Sequence, residues 1–492
     1  MAKKSRRSNY ITSLLRLTLY SSFSAILSII ICGCTVGPDY VKPDISTPDT
    51  WHMELTKGLN SGQADFQDWW KVFNDPVLDS LIQRAADNNY DLQKAVARIE
   101  ESRALRASAR GEYWPDIDAT GSYSRARVSE NGLLPDSDPD QTNLHSAGGS
   151  AAWEIDLFGR ISRSVESSDA TYQASVEDYR DVLVSLYAEV ATNYVDLRSI
   201  QARLNYAQQN VELQKKTVKL TKDRLEAELV PELDVFQAQL NLANTESTIP
   251  TLKTLETKAL NRLATLVGVH PGTLNEQLSK TSGIPAAPRE LIVGIPAELL
   301  RQRPDIRKAE RQLASQTAQI GVATAELYPS FSLNGTFVLE STGLDDATSC
   351  GSRKYGFGPS FTWNIFDGDR VQSNIQVQEA KTEQFLAAYK QTVLNGLEEV
   401  ENSMVSYVQE LDRNQALQRA VNAADKSAQL VEIRYINNLS DFQNVLDMQR
   451  SLSTQQDSLA DSQGAVVRNL ISLYKALGGG WNTKQFSTTE NK

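Results

Sequence analysis

Histidine and cysteine are scarce: each occurs three times in 492 residues. The cysteines are Cys32, Cys34 and Cys350, which excludes a disulfide framework and a thiolate zinc site. His52, His145 and His270 lie far apart and read as surface or turn residues. No glycine-rich phosphate loop occurs, and nothing gathers acid, base and nucleophile. An enzyme is therefore the weakest reading, and no catalytic, metal or cofactor site is expected. Proline is absent after Pro359, and neither Gly nor Pro occurs from Ile161 to Leu229. Positive charge is also short. The formal net charge is −11, and without residues 1–33 the chain carries 45 basic against 61 acidic residues. Nucleic-acid binding, which rests on Lys and Arg neutralising phosphates, is disfavoured. After the N-terminal stretch no apolar run is long enough for a membrane helix.

The N-terminus has what the rest lacks. Lys3, Lys4, Arg6 and Arg7 precede a mostly apolar run from Leu17 to Ile31. That is the n-region and h-region of a signal peptide, too short for a comfortable membrane span. The run ends in Ile31-Cys32-Gly33-Cys34, which resembles a bacterial lipoprotein cleavage box. The resemblance implies lipid on Cys34 as the new N-terminus, and Thr35 after it favours the outer membrane. A plain signal peptide cut near Gly33, or a short anchor helix, is the alternative.

The chain repeats itself. At an offset of 214, residues 91–115 lie on 305–329, and Asp91, Lys94, Ala95, Ala104, Ala109, Glu112 and Pro115 meet identical residues. At an offset of 210, Trp153, Ile155 and Arg160 meet Trp363, Ile365 and Arg370. Glu189, Val211, Arg224, Gln239, Leu263 and Gly268 also meet their like. Two copies of one unit are expected, at 91–270 and 301–481, after an N-terminal segment with a first helix at 34–90. A connector at 271–300 and a disordered tail from 482 complete the organisation.

Each unit opens with a helix ending at a proline. Period-two alternation follows, with hairpins expected at about 115–158 and 329–366. Phe331, Leu333, Gly335, Phe337 and Leu339 share one face, and Ser330, Ser332, Asn334 and Thr336 the other. Tyr355, Phe357, Phe361, Trp363 and Ile365 repeat this, and Ile117, Ala119, Tyr123, Trp153 and Ile155 do so more weakly. Such alternation suits a membrane barrel with a wet lumen, and equally a half-buried soluble sheet. Four strands cannot close a barrel in lipid, so the barrel reading demands oligomers: two chains for eight strands, three for twelve. Cys350 falls in an expected outside loop.

A long helical stretch follows each hairpin. Val176, Tyr179, Leu183, Leu186 and Val190 step by three and four, as do Leu397, Val400, Met404, Tyr407 and Leu411. Leu204, Val211, Val218 and Leu225 step by sevens. Such seams pack helices side by side. About 65–70 residues at ~1.5 Å each make a rod of roughly 100 Å. Pro250 is expected to kink the return helix or end a turn.

CTVGPDYVKPD at 34–44, LRQRPDIRKAE at 300–310, VLDMQRSL at 445–452 and LYKALGGGW at 473–481 resemble markers of outer-membrane efflux lipoproteins of the TolC superfamily, NodT branch. The resemblance implies a mostly α chain whose trimer forms a 12-stranded β-barrel on a 12-helix periplasmic α-barrel. It implies a channel in a tripartite efflux system, exporting small molecules, with a periplasmic adaptor (membrane fusion protein) and a proton-driven inner-membrane pump of the resistance-nodulation-division type. It places the channel in the bacterial outer membrane, lipid-anchored, with no cofactor beyond the lipid on Cys34. The helix tips would dock the adaptor through Glu228, Leu229 and Val230 and through Asn438, Leu439 and Ser440. A glycine usually stands where Glu228 and Asn438 do; Asn tolerates a left-handed backbone and Glu does so poorly. The periplasmic gate would be formed by Asp447, with Asn444 at a usually acidic position and Tyr435 nearby. Two other readings stand beside this: a related channel for ABC-type protein secretion, and a pore-less, periplasm-spanning coiled-coil scaffold lipoprotein.

Overall fold

The computed structural model describes residues 35–62, 66–127, 142–280, 282–288, 291–294, 296, 299 and 302–482. The leader, Cys34 and the tail beyond residue 482 lie outside the described residues. The elements are β1 (Leu59–Ser61), α1 (Pro76–Asn88), α2 (Tyr90–Gly111), β2 (Asp116–Ala126), β3 (Thr142–Ile155), α3 (Arg160–Glu226) and α4 (Glu232–Leu266). A connector with α5 (Asn275–Leu278) and β4 (Leu291–Val293) leads to α6 (Pro304–Ala325), β5 (Ser330–Ser341), β6 (Arg353–Thr362), α7 (Arg370–Ile436) and α8 (Phe442–Ala476). Helix, hairpin and two long helices thus occur twice in the same order. α3 and α7 each run 67 residues, and α4 and α8 each run 35. The residues divide between two compact units.

One unit holds Glu100–Ala174, Glu310–Ala388 and the segment ending at Pro43. Its sheet is antiparallel in the order β2-β3-β5-β6. Tyr355, Phe357, Phe361 and Phe337 are exposed on it, as are Ile117 and Tyr123. The two repeats end their hairpins alike. The Trp153 indole donates to the Tyr113 carbonyl at 2.9 Å, and the Trp363 indole to the Leu327 carbonyl at 3.1 Å. Asp156 then accepts from the Ile161 and Ser162 amides, and Asp367 from the Val371 amide. Each carboxylate satisfies amides that the first turn of its helix leaves unpaired. The N-terminal strap is bound in the same unit. The Val36 amide donates to the Phe158 carbonyl, and buried Arg163 donates to the Val36 carbonyl and to Asp39. Gly37, at φ 86°, approaches Gly321 so closely that a Cβ would stand 2.5 Å from the Gly321 Cα. Tyr40 and Lys42 both reach Glu310 at 3.2 Å.

The other unit holds Asp44–Ile99, Ser175–Ala309 and Tyr389–Lys492. Pro76 at the first turn and the Asp75 carboxylate, accepting from Val77 and Leu78, start α1. Buried Asn89 stops it and caps α2. Of the seams predicted from spacing, Leu183, Val190, Val400, Met404 and Tyr407 are at most 3 % exposed and Val211 is buried, whereas Val176, Leu204, Val218, Leu225, Leu397 and Leu411 are only partly buried. Beside them runs a second, polar seam. Asn210, Gln214, Thr217 and Thr221 are all buried at heptad spacing. Asn210 donates to Gln456, and Gln449 donates to Thr217, both at 2.8 Å.

The motifs around Arg303 and Trp481 meet here. The Trp481 indole donates to the Gln302 carbonyl, and Arg303 donates to the Ala476 carbonyl. Arg180 and Arg307 lie over the Trp481 ring, at 4.6 Å and 5.1 Å from its centroid. Glu177 pairs with both arginines at 2.7 Å. Burial pushes the Glu177 carboxyl above its usual range in spite of the two guanidinium groups.

Two expectations change, and α4 runs on through Pro250 rather than ending there. β6 ends at Thr362, before the apolar alternation does. His145 is a strand residue against the Tyr123 ring rather than a turn residue.

Trp481→Ala should lower stability by about 2 kcal/mol from the lost cation–π contacts, more than Trp481→Phe, as read by melting in detergent. A second test concerns the strap. Burial raises the Glu310 carboxyl, but Arg311 and Lys42 outweigh it, so its value lies below the ordinary 4.5. Its stabilisation is complete above pH 4.5 and is lost as pH falls through the lower folded value. Cleavage of residues 39–43 by an acid protease should accelerate in that window, and Glu310→Gln should abolish the dependence.

Candidate functional site

The helix turns of the two repeats lie together. α3 ends at Glu226 and α7 at Ile436, and both chains leave through the same backbone device. Glu228 has φ 56° and Asn438 φ 58°, the left-handed region in which helices commonly terminate. The Leu229 amide donates to the Arg224 carbonyl at 2.9 Å, and the Leu439 amide to the Arg434 carbonyl at 2.8 Å. Glu228 thus adopts the conformation it was expected to resist. Pro231 then sits in extended conformation before α4, and Asp441 does so before α8. Glu232 and Asp234 in the first turn of α4 suit its positive end.

A small core joins the turns. Tyr435, Phe442, Val445, Leu446 and Ala238 are buried together, with Val230 and Val431 packed against them. The Tyr435 and Phe442 rings are 5.2 Å apart. Tyr435 is only 4 % exposed, so within one chain it is a core residue of the turn. Val230 is likewise partly buried, whereas Leu229 and Leu439 are 62 % and 66 % exposed. A cavity of about 500 Å³ in the second turn brings Asn438, Leu439, Ser440 and Asn444 together with Arg434 and Asp441. Asp447 lies outside it. Its carboxylate is half-exposed, accepts from Gln443 at 3.0 Å and stands 3.8 Å from Arg450.

Arg224 is the residue that spacing did not single out for this role. It crosses from the first turn to the second, donating to the carbonyls of Tyr435 and Ile436 and to the Asn438 side chain. Its guanidinium lies 4.8 Å from the Tyr435 ring centroid. Burial raises the neighbouring Asp234 carboxyl above its usual range, against the pull of Tyr435 and Arg224. The signal was present: Arg224 matches Arg434 across the repeat. Among the described residues no group of side chains could hold a metal ion, and no helix is long and apolar enough to cross a membrane. The arrangement supplies polar and apolar surface at a turn, and a charge that ties two turns together.

Arg224→Ala should loosen the paired turns. Charge-assisted hydrogen bonds contribute about 1.5–3 kcal/mol each when buried, and partial exposure puts these at the low end. Amide exchange at residues 433–441 should quicken about tenfold, the equivalent of ~1.4 kcal/mol. Arg224→Lys should recover only part of the protection.

The same architecture recurs in known proteins. Nodulation protein T of Rhizobium leguminosarum bv. trifolii is 32 % identical over 471 residues, covering 95 % of this chain and 98 % of that protein. Pyoverdine export outer membrane protein OpmQ of Pseudomonas aeruginosa is 31 % identical, covering 94 % and 97 %. The structure of the outer-membrane channel OprN superposes with a TM-score of 0.84 at 36 % identity, covering 91 % of this chain and 100 % of that one. The family model described as "Outer membrane efflux protein" matches residues 81–269 and 295–479, the two repeats found from internal similarity. With both repeats matched and relatives alike over nearly their whole length, the chain belongs to the outer membrane efflux protein family.

Proposed function

We propose that three copies of the chain close into an outer-membrane channel, a twelve-stranded barrel continued by a helical tunnel, and that it carries small molecules outward in a tripartite efflux system. One observation carries this reading: among the described residues β2 and β6 each have a neighbouring strand on one side only, in a sheet that exposes aromatic side chains. In lipid such edges cost several kcal/mol for each unpaired backbone group, so the sheet needs further strands. The repeats support the organisation into units at about 91–270 and 301–481. OpmQ is named for pyoverdine export; a polar tunnel selects weakly, so cargo choice belongs to a proton-driven inner-membrane pump reached through a periplasmic adaptor.

Site roles follow from that reading. Lipid on Cys34 is the anchor. Its neighbour Thr35 packs on Gly159, where the first hairpin passes into α3, which suits a tether at the membrane rim. The exposed Leu229 and Leu439, with Glu228, Val230, Asn438 and Ser440, form the adaptor-docking tips. Three Asp447 carboxylates ring the closed aperture beside Asn444, with Tyr435 supporting the turn from within its core, and Arg450 offsets part of their charge. Like charges crowded in a pore attract cations.

In planar bilayers the purified protein should conduct ions as a trimer; a monodisperse monomer that leaves vesicles no leakier would overturn the channel reading. Asp447→Ala should raise conductance and reduce cation preference. If both stay unchanged, Asp447 has no part in the gate.

A further inference from the structure

Where the sheet passes into the helices of its own unit, a cavity of about 720 Å³ opens between the ends of the two hairpins. That is the size of a small-ligand site. The strand residues Glu154, Ser330 and Thr362 line it. Each is next in sequence to a residue of the apolar face, Trp153, Phe331 and Phe361 respectively. Successive side chains of a strand point to opposite faces, so the cavity lies on the polar side of the sheet. In a barrel that turns its apolar face to lipid, that side looks into the passage.

Five charged side chains line the cavity: Glu154, Asp156, Arg160, Glu326 and Arg370. Three of them are satisfied within the chain. Glu154 accepts from Arg160 at 2.8 Å and 3.0 Å, and Arg160 also donates to Glu112 at 3.0 Å. Asp156 accepts from the Ile161 and Ser162 amides and from the Ser162 hydroxyl. The other two are Arg370 and Glu326, the counterparts of Arg160 and Glu112. The residue that matches Glu154 is Asn364, which brings no charge. Among the described residues no ion pair or side-chain hydrogen bond reaches Arg370 or Glu326, and both are exposed. The second repeat keeps the arginine and the glutamate of the first but leaves each open to the cavity. Phe158 and Tyr328, stacked at 4.6 Å, line the same space and add an aromatic wall. Tyr328 keeps 41 % of its surface exposed.

Building on the channel reading, we propose that this cavity is a transit site for small zwitterions that carry a carboxylate and an ammonium on an apolar body. Arg370 holds the carboxylate with its forked N–H donors. Glu326 accepts from the ammonium, and the two rings cover the apolar part. A solute with only one charge leaves either the guanidinium or the carboxylate without a partner. The site adds a preference to a passage that otherwise selects weakly.

Phenylalanine, phenylpropanoate and phenethylamine share one ring and differ in charge. Their binding to the purified protein in detergent, read by saturation-transfer NMR at neutral pH, tests the proposal. Phenylalanine should bind about tenfold more tightly than either singly charged probe. Arg370→Gln should lower its affinity to that of phenethylamine, and Glu326→Gln to that of phenylpropanoate. Asn364→Glu gives Arg370 the partner that Arg160 has, and should cost as much as Arg370→Gln although the arginine stays. Equal binding of the three probes, binding of none, or an affinity for phenylalanine unmoved by any of these substitutions overturns the proposal. Conductance of the same preparation in planar bilayers separates the two readings. A conducting trimer without the probe preference keeps the channel, and a nonconducting monomer overturns both.

Discussion

An unpaired backbone group can be left to water but not to hydrocarbon. That constraint governs the four-stranded sheet. Its inner strands satisfy each other, while β2 and β6 lie at its edges, each with one neighbouring strand among the described residues. The exposed aromatics on the same sheet deepen the demand, since a soluble monomer would bury them. The helices answer to the same rule by other means. Asp156 and Asp367 close their first turns, and left-handed residues close their last, so each helix ends with few amides or carbonyls abandoned.

Duplication makes this economical. One solution for a hairpin end, with a tryptophan bonded to the preceding turn and an aspartate capping the next helix, serves twice. The copies then diverged where their neighbours differ. Arg160 pairs with Glu154 and Glu112, whereas the second copy holds Asn364 at the position matching Glu154. Identity between copies marks shared architecture, and difference between them marks local surroundings.

Much of the fold was legible in the residues. Period-two alternation located both hairpins, heptad spacing located the long helices, and the repeat fixed their order. What escaped depends on distant pairs. The polar seam of Asn210, Gln214, Thr217 and Thr221 has helical spacing, but amides and hydroxyls read as surface until Gln449 and Gln456 are seen opposite. Arg224 is one arginine among many until the second turn stands beside it. At the turns, Asn438 obeyed its preference and Glu228 did not; closing the helix end decided the backbone for both. Of the candidate site, the turns came from the repeat, whereas the buried place of Tyr435 needed the packing.

The clamp on Trp481 has a consequence for biosynthesis. Arg180 and Glu177 emerge from the ribosome early, Arg307 later, and the ring that covers both guanidinium groups comes only with the last residue of the second repeat. A nascent polypeptide interrupted before that ring leaves the guanidinium groups of Arg180 and Arg307 without their lid.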